Sequence, residues 1–464
     1  MAQRAPLITQ VPIPGAALRA LADSDPARYP VFFDSAAQGP LARYSLLATR
    51  PTASLTRDPR GGLEARGLAT SGGGFLDELD AWSRRERVPR QKLPYDLPFA
   101  GGWFVYLGYE VAAEVEPRLI LPVASAPYSA FALRVQTLAV HDLATDSVYA
   151  ISEQGDAEAH GALVAELRAA ATGSSPNVEE APRLAATRED DPERFLAQVR
   201  AAKEYIAAGD IYQANLSRAW RMELADPHQA ARVYPALRRA NPAPFAARVC
   251  WQDFSILSSS PERLMRIEGR DIATRPIAGT RPRQLSREGG SPEQDRRDTA
   301  ELMQHPKERA EHVMLIDLER NDLGRVCEAG SVTVDEYMVT ESYAHVHHIV
   351  SNVRGRLRDD ASAVTALRAL FPGGTITGCP KFRCMQIIAE LEGEGRGAYT
   401  GSLGWLGRDG DADFNILIRT LTLAGTRVEL RAGAGIVADS IPERELEETR
   451  AKARGLLRAF GDAG

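Results

Sequence analysis

Cysteine is scarce in this chain, and it contains neither a long apolar run nor an excess of basic residues. Four cysteines among 464 residues cannot build the disulfide framework of a small secreted protein, so we expect all four to be reduced. No run reaches the roughly 20 apolar residues that span a bilayer. The first ten residues, MAQRAPLITQ, lack the apolar centre of a signal peptide. The sequence therefore predicts a cytoplasmic protein with no membrane partner.

The charge balance narrows the class of partner further. Lysine and arginine number 56 against 62 aspartates and glutamates, which gives a formal net charge of −6. A nucleic-acid-binding surface would require a basic stripe, so no nucleic-acid partner is expected. A hydrophobic content of 44% and a charged content of 25% are typical of a globular protein, and small diffusible substrates fit this composition best.

A polar segment that contains prolines divides the chain into two parts. Residues 171–192, ATGSSPNVEEAPRLAATREDDP, have no hydrophobic periodicity and are predicted to be a linker. We expect an N-terminal mixed α/β subdomain at residues 1–170 and a second domain, with the candidate chemical residues, at residues 193–464. In the second part, strand-like segments are separated by helical segments, the longest of them near residues 293–320 and 441–460. This order predicts an α+β fold of antiparallel sheets backed by helices.

Two of the predicted helices each carry two glutamates three residues apart, Glu308 with Glu311 and Glu445 with Glu448. Such spacing places each pair on one helix face, and Lys452 shares the face of the second pair. Each pair by itself is typical of a solvated surface. Together, the four carboxylates offer the oxygen ligands that Mg²⁺ takes alongside substrate oxygens.

A histidine-rich segment, AHVHHIVSNV, suggests a second kind of site. His345, His347 and His348 could be read with Glu308 and Glu311 as a transition-metal cluster. Side chains alternate between the two faces of a strand, however, so the three imidazoles cannot all face one ion. A single histidine acting as an acid or base fits the pattern better.

Arg419 lies in DFNILIRTLTL, residues 413–423, which is predicted to be one strand that is apolar on both faces. A guanidinium in such a strand must meet an anion, because an unpaired buried charge is costly. The anion could be a protein carboxylate or a ligand. Gly433 and Gly435 in RAGAGIVADS would let a flat ligand approach the backbone closely.

A glycine-rich segment, PGGTITGCPK, precedes a helix that is predicted to open near Pro380. Backbone N–H groups at a helix start favour a carboxylate or phosphate, and Lys381 adds positive charge. With Mg²⁺ and Arg419, these groups predict a small substrate that carries several carboxylates.

Eight motifs in this order resemble the chorismate-utilising enzymes. They are SSSPERL, RPIAGTRPR, AEHVMLIDLERNDLGRV, VHHIVS, PGGTITGCPKFRCMQIIAELE, IRT, GAGIVADS and EETRAKA. The resemblance is dense over roughly residues 190–460, and looser in ARYSLLATRP and VYLGYE nearer the N-terminus. It implies a large fold in which β-sheets face each other across an active cleft and helices surround them.

The resemblance also implies a ligand set and residue roles. Mg²⁺ would be bound directly by Glu311 and Glu448, with Glu308 and Glu445 nearby through water. Glu262 would be the general acid that assists departure of the ring hydroxyl, and His348 an acid or base near the ring. The implied substrate contacts are Arg419 and Tyr399 at the enolpyruvyl carboxylate, Lys452 and the backbone of Gly433 and Gly435, and Thr280 in the pocket wall.

The motifs differ in the branch of the family that they favour. Gln213 in GDIYQANLS replaces the lysine base that water-adding members carry, which disfavours isochorismate and salicylate formation. YQANLS, GGTITGCPK and YTGSLG resemble the branch that uses ammonia to make 4-amino-4-deoxychorismate for the 4-aminobenzoate and folate pathway. Ala278 in PIAGT is not the lysine nucleophile of many such enzymes and cannot replace it. Anthranilate synthase, which makes anthranilate and pyruvate, therefore remains the alternative.

The resemblance implies a partner as well. The chain carries none of the motifs of a glutamine amidotransferase, so ammonia is expected from a separate glutamine amidotransferase subunit. A non-catalytic relative would lack a metal-binding glutamate or Glu262, and all of these are present.

Overall fold

The computed structural model describes residues 5–37, 39, 41–153, 156–172, 180–283, 291–342 and 346–461. Twenty-three strands in these residues form two large antiparallel sheets, which confirms the predicted α+β class. None of the described helices is both long enough and apolar enough to cross a membrane.

The strands run in chain order as β1 (Leu7–Val11), β2 (Val31–Asp34), β3 (Tyr44–Ala48), β4 (Ala53–Arg57), β5 (Leu63–Arg66), β6 (Gly102–Leu107), β7 (Ala130–Val135), β8 (Thr137–Asp142), β9 (Ser147–Ser152), β10 (Leu184–Glu189), β11 (Gln213–Leu224), β12 (Phe245–Trp251), β13 (Phe254–Ser260), β14 (Arg263–Glu268), β15 (Asp271–Thr274), β16 (Ile277–Pro282), β17 (Thr333–Ser342), β18 (Val346–Arg356), β19 (Gly378–Cys379), β20 (Ser402–Gly407), β21 (Ala412–Ile416), β22 (Thr420–Ala424) and β23 (Arg427–Ile436).

The α-helices of the described residues are α1 (Ala16–Ser24), α2 (Phe75–Arg85), α3 (Ala112–Val115), α4 (Ala157–Thr172), α5 (Pro192–Ala207), α6 (Ala230–Ala240), α7 (Pro292–Gln304), α8 (Pro306–Gly324), α9 (Ala363–Leu370), α10 (Lys381–Glu392) and α11 (Pro442–Leu457). Proline opens four of them, α5, α7, α8 and α11, because its fixed φ suits the first turn and its missing N–H would have no partner there. Gly393 ends α10 in the left-handed conformation, with φ of 65°.

Strands from both parts of the chain build each sheet. The 12-stranded sheet has the order β1-β9-β8-β3-β2-β12-β13-β22-β23-β11-β10, with β19 on β11. The 11-stranded sheet has the order β16-β18-β15-β14-β21-β20-β6-β7-β4-β5, with β17 on β18. Of the predicted linker, residues 173–179 lie outside the described residues, and β10 pairs with β11. The domain boundary stays a prediction about the sequence.

The core lies in layers between and outside the sheets. Along β6, Phe104 and Tyr106 face a cluster shared by both sheets, whereas Trp103 and Val105 join a cluster under α2, α8 and α9. This alternation follows from the two-residue period of a strand. A third cluster packs α1, α4, α6 and α11 on the outer face of the 12-stranded sheet. The sheets therefore face each other, with helices outside them.

Two segments that were predicted to be continuous are divided in the structure. The helix expected at 293–320 is two helices, because His305 takes an extended conformation before Pro306. The strand expected at 413–423 is β21 and β22, which belong to different sheets. Arg419 therefore lies in the segment that crosses between the sheets, with a φ of 51°. The prediction of one continuous strand was wrong because apolar residues on both faces also suit a segment that crosses between sheets.

A buried ion cluster joins β11, β23 and α10. The side chain of Glu392 accepts hydrogen bonds from Ser217 Oγ (3.0 Å), Arg396 Nε (2.9 Å) and Arg431 Nη2 (3.3 Å). Burial alone would raise the pKa of Glu392, but Arg396 and Arg431 outweigh burial and lower it. Since Arg396 also lies over the ring of Tyr399, 5.5 Å from its centroid, the cluster supports the strands and the aromatic ring beside them.

We predict that Glu392→Gln lowers the free energy of unfolding by about 3 kcal/mol, because two buried guanidinium groups lose their shared counter-charge. Urea unfolding at pH 7 measures this, and Glu390→Gln, an exposed change on the same helix, should stay within about 0.5 kcal/mol. Because the pKa of Glu392 is lowered, its stabilisation is present at neutral pH and is lost as the pH falls through the folded-state pKa. The free energy of unfolding of the Glu392→Gln protein should therefore fall less on acidification than that of the wild type. An equal fall in the two proteins would contradict the role of Glu392.

Candidate active site

Two segments that cross between the sheets place an acid and a cation side by side. Glu262 lies between β13 and β14, and Arg419 between β22 and β21, and these strands pair with each other. The backbone of the two segments is hydrogen-bonded, from Ser259 N to Arg419 O at 3.0 Å and from Ile416 N to Glu262 O at 3.0 Å. Both residues were predicted from the sequence, and their proximity follows from the strand pairing.

Glu262 is buried and is held by one neutral donor. The hydroxyl of Thr375 donates to its Oε1 at 2.7 Å. Burial raises the pKa of Glu262 to about 7, although Thr375, Arg419 and Lys452 act in the opposite direction. A carboxyl group in such a site keeps its proton near neutral pH, as a general acid requires.

Arg419 forms no ion pair with any carboxylate of the described residues. Burial lowers the pKa of its guanidinium, and the charge of Glu262 opposes this effect. Its left-handed φ is unusual for a residue other than glycine, and such strain is concentrated at functional sites. The sequence left two partners open for Arg419, a protein carboxylate or a ligand. No described carboxylate forms an ion pair with it, so its guanidinium can accept an anionic ligand.

His348 lies on β18, where its backbone pairs with Thr280 of β16 and Glu341 of β17. Burial lowers the pKa of His348 to about 4, with a smaller effect of Arg419 in the same direction. Its imidazole is thus neutral at physiological pH and able to accept a proton. The side chain of Thr280 lies outside the described part of the structure, so its place in the pocket wall stays a prediction.

The other histidines do not join a metal cluster. His347 contacts Ser342 Oγ at 2.7 Å and Asp295 Oδ1 at 3.1 Å, away from the side of His348, as strand alternation requires. His345 lies outside the described residues. Within the described residues, no group of three or more His, Cys, Asp or Glu side chains is arranged to hold a metal ion.

Gly433 and Gly435 lie on β23, opposite β11, where larger residues would collide with polar groups. A Cβ on Gly433 would lie 2.5 Å from the hydroxyl oxygen of Tyr399, and one on Gly435 would lie 2.6 Å from Gln213 Nε2. Tyr399 in turn donates to Asn215 Oδ1 at 3.3 Å. A side chain at either position would displace these polar groups, so the strand presents bare backbone beside Tyr399.

The helical glutamates reach the same strand from two helices. Gln213 Nε2 donates to Glu311 Oε1 at 2.9 Å, and this oxygen lies 3.9 Å from the Cβ position of Gly435. Lys452 Nζ donates to Gly433 O at 2.9 Å and to Glu448 Oε1 at 2.7 Å. Since residues 433 and 435 are about 7 Å apart along a strand, Glu311 and Glu448 approach neighbouring points.

Glu308 and Glu445 are the other two helical glutamates, and the four carboxylates do not gather, among the described residues, into a group of three or more that could hold a metal ion. Glu308 Oε2 lies 2.9 Å from the Cβ position of Gly279, and Glu445 lies in the first turn of α11, one turn before Glu448. The donor set is made only of carboxylate oxygens, which fits Mg²⁺ and not a soft metal. Two protein carboxylates with space for substrate oxygens are enough for that ion.

Two features of the glycine-rich segment were not foreseen. Lys381 was expected to attract an anion, but its ammonium pairs with Asp322 and donates to Leu370 O at 3.1 Å. Thr375 was not singled out, although its hydroxyl holds Glu262. No spacing rule identifies such a threonine, because its partner is more than 100 residues away in the sequence.

The chain is similar to known proteins over most of its length. Residues 36–458 match the family described as chorismate binding enzyme. The chain is 40% identical to the anthranilate synthase component I-like protein of Synechocystis, over 90% of this chain and 83% of that protein. It is 41% identical to aminodeoxychorismate synthase component 1 of Bacillus subtilis, over 83% of this chain and 82% of that protein.

Solved structures show the same fold. Anthranilate synthase component I from Streptococcus pneumoniae superimposes with a TM-score of 0.79 at 31% identity, and the match covers 90% of this chain and 92% of that one. The facing sheets expected from the sequence are thus shared with a known structure.

We predict that Thr375→Val raises the pH at which Glu262 ionises, because the lost hydrogen bond stabilises the carboxylate. Infrared titration of the carboxyl band, taken as the difference from Glu262→Gln, measures this in the ligand-free protein. Thr377→Val is the matched control, since that hydroxyl donates to Gly373 O at 3.0 Å. A titration unchanged by Thr375→Val would show that the hydroxyl does not tune Glu262.

Proposed function

Because the chain belongs to the family of chorismate-binding enzymes, we propose that it aminates chorismate to 4-amino-4-deoxychorismate with ammonia from a separate glutamine amidotransferase subunit. The observation that carries the proposal is that Glu262, whose pKa burial raises to about 7, lies beside Arg419, which forms no ion pair among the described residues. Glu262 can protonate a leaving hydroxyl, and Arg419 can bind a substrate carboxylate.

The substrate is placed by contacts from both sheets. Arg419 and Tyr399 hold the enolpyruvyl carboxylate, and the bare backbone at Gly433 and Gly435 lets the flat ring lie close to β23. Lys452, already hydrogen-bonded to Gly433 O, adds positive charge at the same strand. A fixed orientation of this kind lowers the entropic part of the barrier.

The leaving group is activated by a proton that Glu262 holds. The hydroxyl of the ring departs as water when Glu262 donates to it, and the hydrogen bond from Thr375 then stabilises the new carboxylate. His348, neutral because of its burial, can take the proton that the attacking nitrogen loses. Burial of both groups keeps bulk water from competing with ammonia.

Glu311 and Glu448 would bind Mg²⁺, with Glu308 and Glu445 nearby through water. Bound there, the ion would neutralise the ring carboxylate of chorismate as a Lewis acid. The hydrogen bond from Gln213 orients the Glu311 carboxylate beside β23. Lys452 holds Glu448 in the same way from the other side.

Gln213 supports ammonia over water as the nucleophile. Its amide donates to Glu311 and has no basic nitrogen, so it cannot deprotonate a water molecule. Ammonia needs no such base. The Bacillus subtilis relative, named as an aminodeoxychorismate synthase, supports amination at C4, whereas Ala278 and the relative named for anthranilate synthase support the alternative.

A partner subunit and a compartment follow from the same reasoning. The names of both relatives include component I or component 1, which supports a separate subunit as the ammonia source. All four cysteines are free, which fits the reducing cytoplasm.

The product of the isolated chain tests the proposal. Purified protein would be incubated with chorismate, Mg²⁺ and an ammonium salt at alkaline pH, and the product identified by mass and fluorescence. We expect 4-amino-4-deoxychorismate, with no pyruvate released until a separate lyase is added. Fluorescent anthranilate with stoichiometric pyruvate would assign the chain to the alternative branch, and isochorismate formed without ammonia would contradict the role of Gln213.

The same assay tests the metal site. EDTA should abolish turnover, and Glu448→Gln should lower it strongly because one of two metal ligands is lost. Glu447→Gln is the matched control, since Glu447 pairs with Arg450 on the outer side of the helix. Full turnover in EDTA would reject the metal assignment.

A further inference from the structure

The helix that carries Glu308 and Glu311 continues its inward face beyond them. Leu315, Glu319 and Asp322 follow at helical spacing and are all buried. At 1.5 Å per residue, Glu319 lies about 12 Å from Glu311 along the axis. Glu319 is thus a deeply buried carboxyl group that has no part in the proposed reaction.

Glu319 is 4% exposed, and its Oε2 has no hydrogen-bond partner among the described residues. Thr274 offers its hydroxyl to the carboxyl group. Burial, followed by the charge of Asp322, raises the pKa of Glu319 to about 7; Lys381 and Thr274 oppose these effects and Glu262 adds to them. Glu319 therefore keeps a proton near neutral pH, as Glu262 does.

Glu319 and Glu262 lie on the two sides of one short loop. The Cβ position of Gly374 lies 3.4 Å from Glu319 Oε1, and the next residue, Thr375, donates to Glu262. The charge of Glu262 acts on Glu319 across this loop. The glycine is needed here because a Cβ would also lie 2.4 Å from Leu318 Cδ2.

An open cavity lies next to the charged neighbours of Glu319. Asp322 and Lys381 form an ion pair beside it, and both line a cavity of about 680 Å³ together with Tyr212, Asp317 and Leu318. Tyr212 is 70% exposed, so the cavity has an exposed wall. Buried titratable groups thus extend from this cavity through Asp322, Lys381 and Glu319 to Glu262.

We propose that Glu319 is a relay residue that returns a proton to Glu262 after each turnover and receives it from the cavity through Asp322 and Lys381. Glu319 acts through Glu262 and touches no substrate. The proposal rests on the proposed function for the step that consumes the proton of Glu262.

The proton balance requires such a return. Ammonia loses one proton on forming the amine and the leaving hydroxyl takes one from Glu262, so the whole reaction consumes none. Glu262 nevertheless ends each cycle as a carboxylate beside Arg419. Transfer from the Glu319 carboxyl group restores the acid, and Glu319 recovers its proton from water in the cavity.

The test is Glu319→Gln, with infrared titration of Glu262 in the free protein and the pH dependence of kcat at constant free ammonia. We expect Glu262 to ionise at lower pH, because the negative charge of Glu319 no longer opposes it. The loss of activity at high pH should move in the same direction. At its optimum, kcat should fall about tenfold, less than the effect of removing a direct proton donor, with the KM for chorismate unchanged.

Glu319→Asp should restore part of kcat, and Glu301→Gln, a change of an exposed carboxylate on the neighbouring helix α7, should change nothing. If Glu319→Gln does not fold, the Glu319→Asp protein must still show a lower kcat with an unchanged KM for chorismate, because its shorter side chain carries the carboxyl group away from Glu262. A fall in kcat without any shift would make Glu319 structural and overturn the proposal, as would no change at all. The infrared shift needs no turnover, so it separates failure of the relay from failure of the proposed reaction.

Discussion

The constraint on which the site depends is a guanidinium, that of Arg419, held at the crossing of two sheets without an ion pair to any carboxylate in the described part of the chain. Moving a charge out of water is costly unless an anion compensates it, and the left-handed φ of Arg419 adds local strain. The fold meets these costs because two hydrogen-bonded crossing segments fix the backbone on either side. The protein is therefore already arranged for an anionic ligand before that ligand arrives.

The neighbouring groups follow from this charge. Burial raises the pKa of Glu262 to about 7 and keeps His348 neutral, so below neutral pH neither group offsets the charge of Arg419. The Glu392 cluster pairs with its own arginines, Arg396 and Arg431, so these two do not compete with Arg419 for an anionic ligand. Burial thus gives Glu262, His348 and Arg419 different charge states although their charges act on one another.

Local patterns predicted the fold class, the glycines of β23 and the paired glutamates, because strand alternation, close backbone approach and helical spacing are short-range rules. The sequence did not reveal that residues 413–423 cross between sheets, because apolar residues on both faces suit a buried strand and a crossing equally well. It also did not reveal that Thr375 holds Glu262 or that Lys381 is paired with Asp322. Such partners are brought together by tertiary packing, which no local spacing encodes.

Calorimetric binding of chorismate to the wild-type and Arg419→Ala proteins tests the central claim most directly. Removal of the cation from a desolvated carboxylate should cost about 2–5 kcal/mol, which weakens binding by well over tenfold. Arg354→Ala, an exposed arginine on β18 paired with Asp335, should bind as the wild type does. A loss smaller than about tenfold for Arg419→Ala would contradict the claim and show that the guanidinium has a structural role.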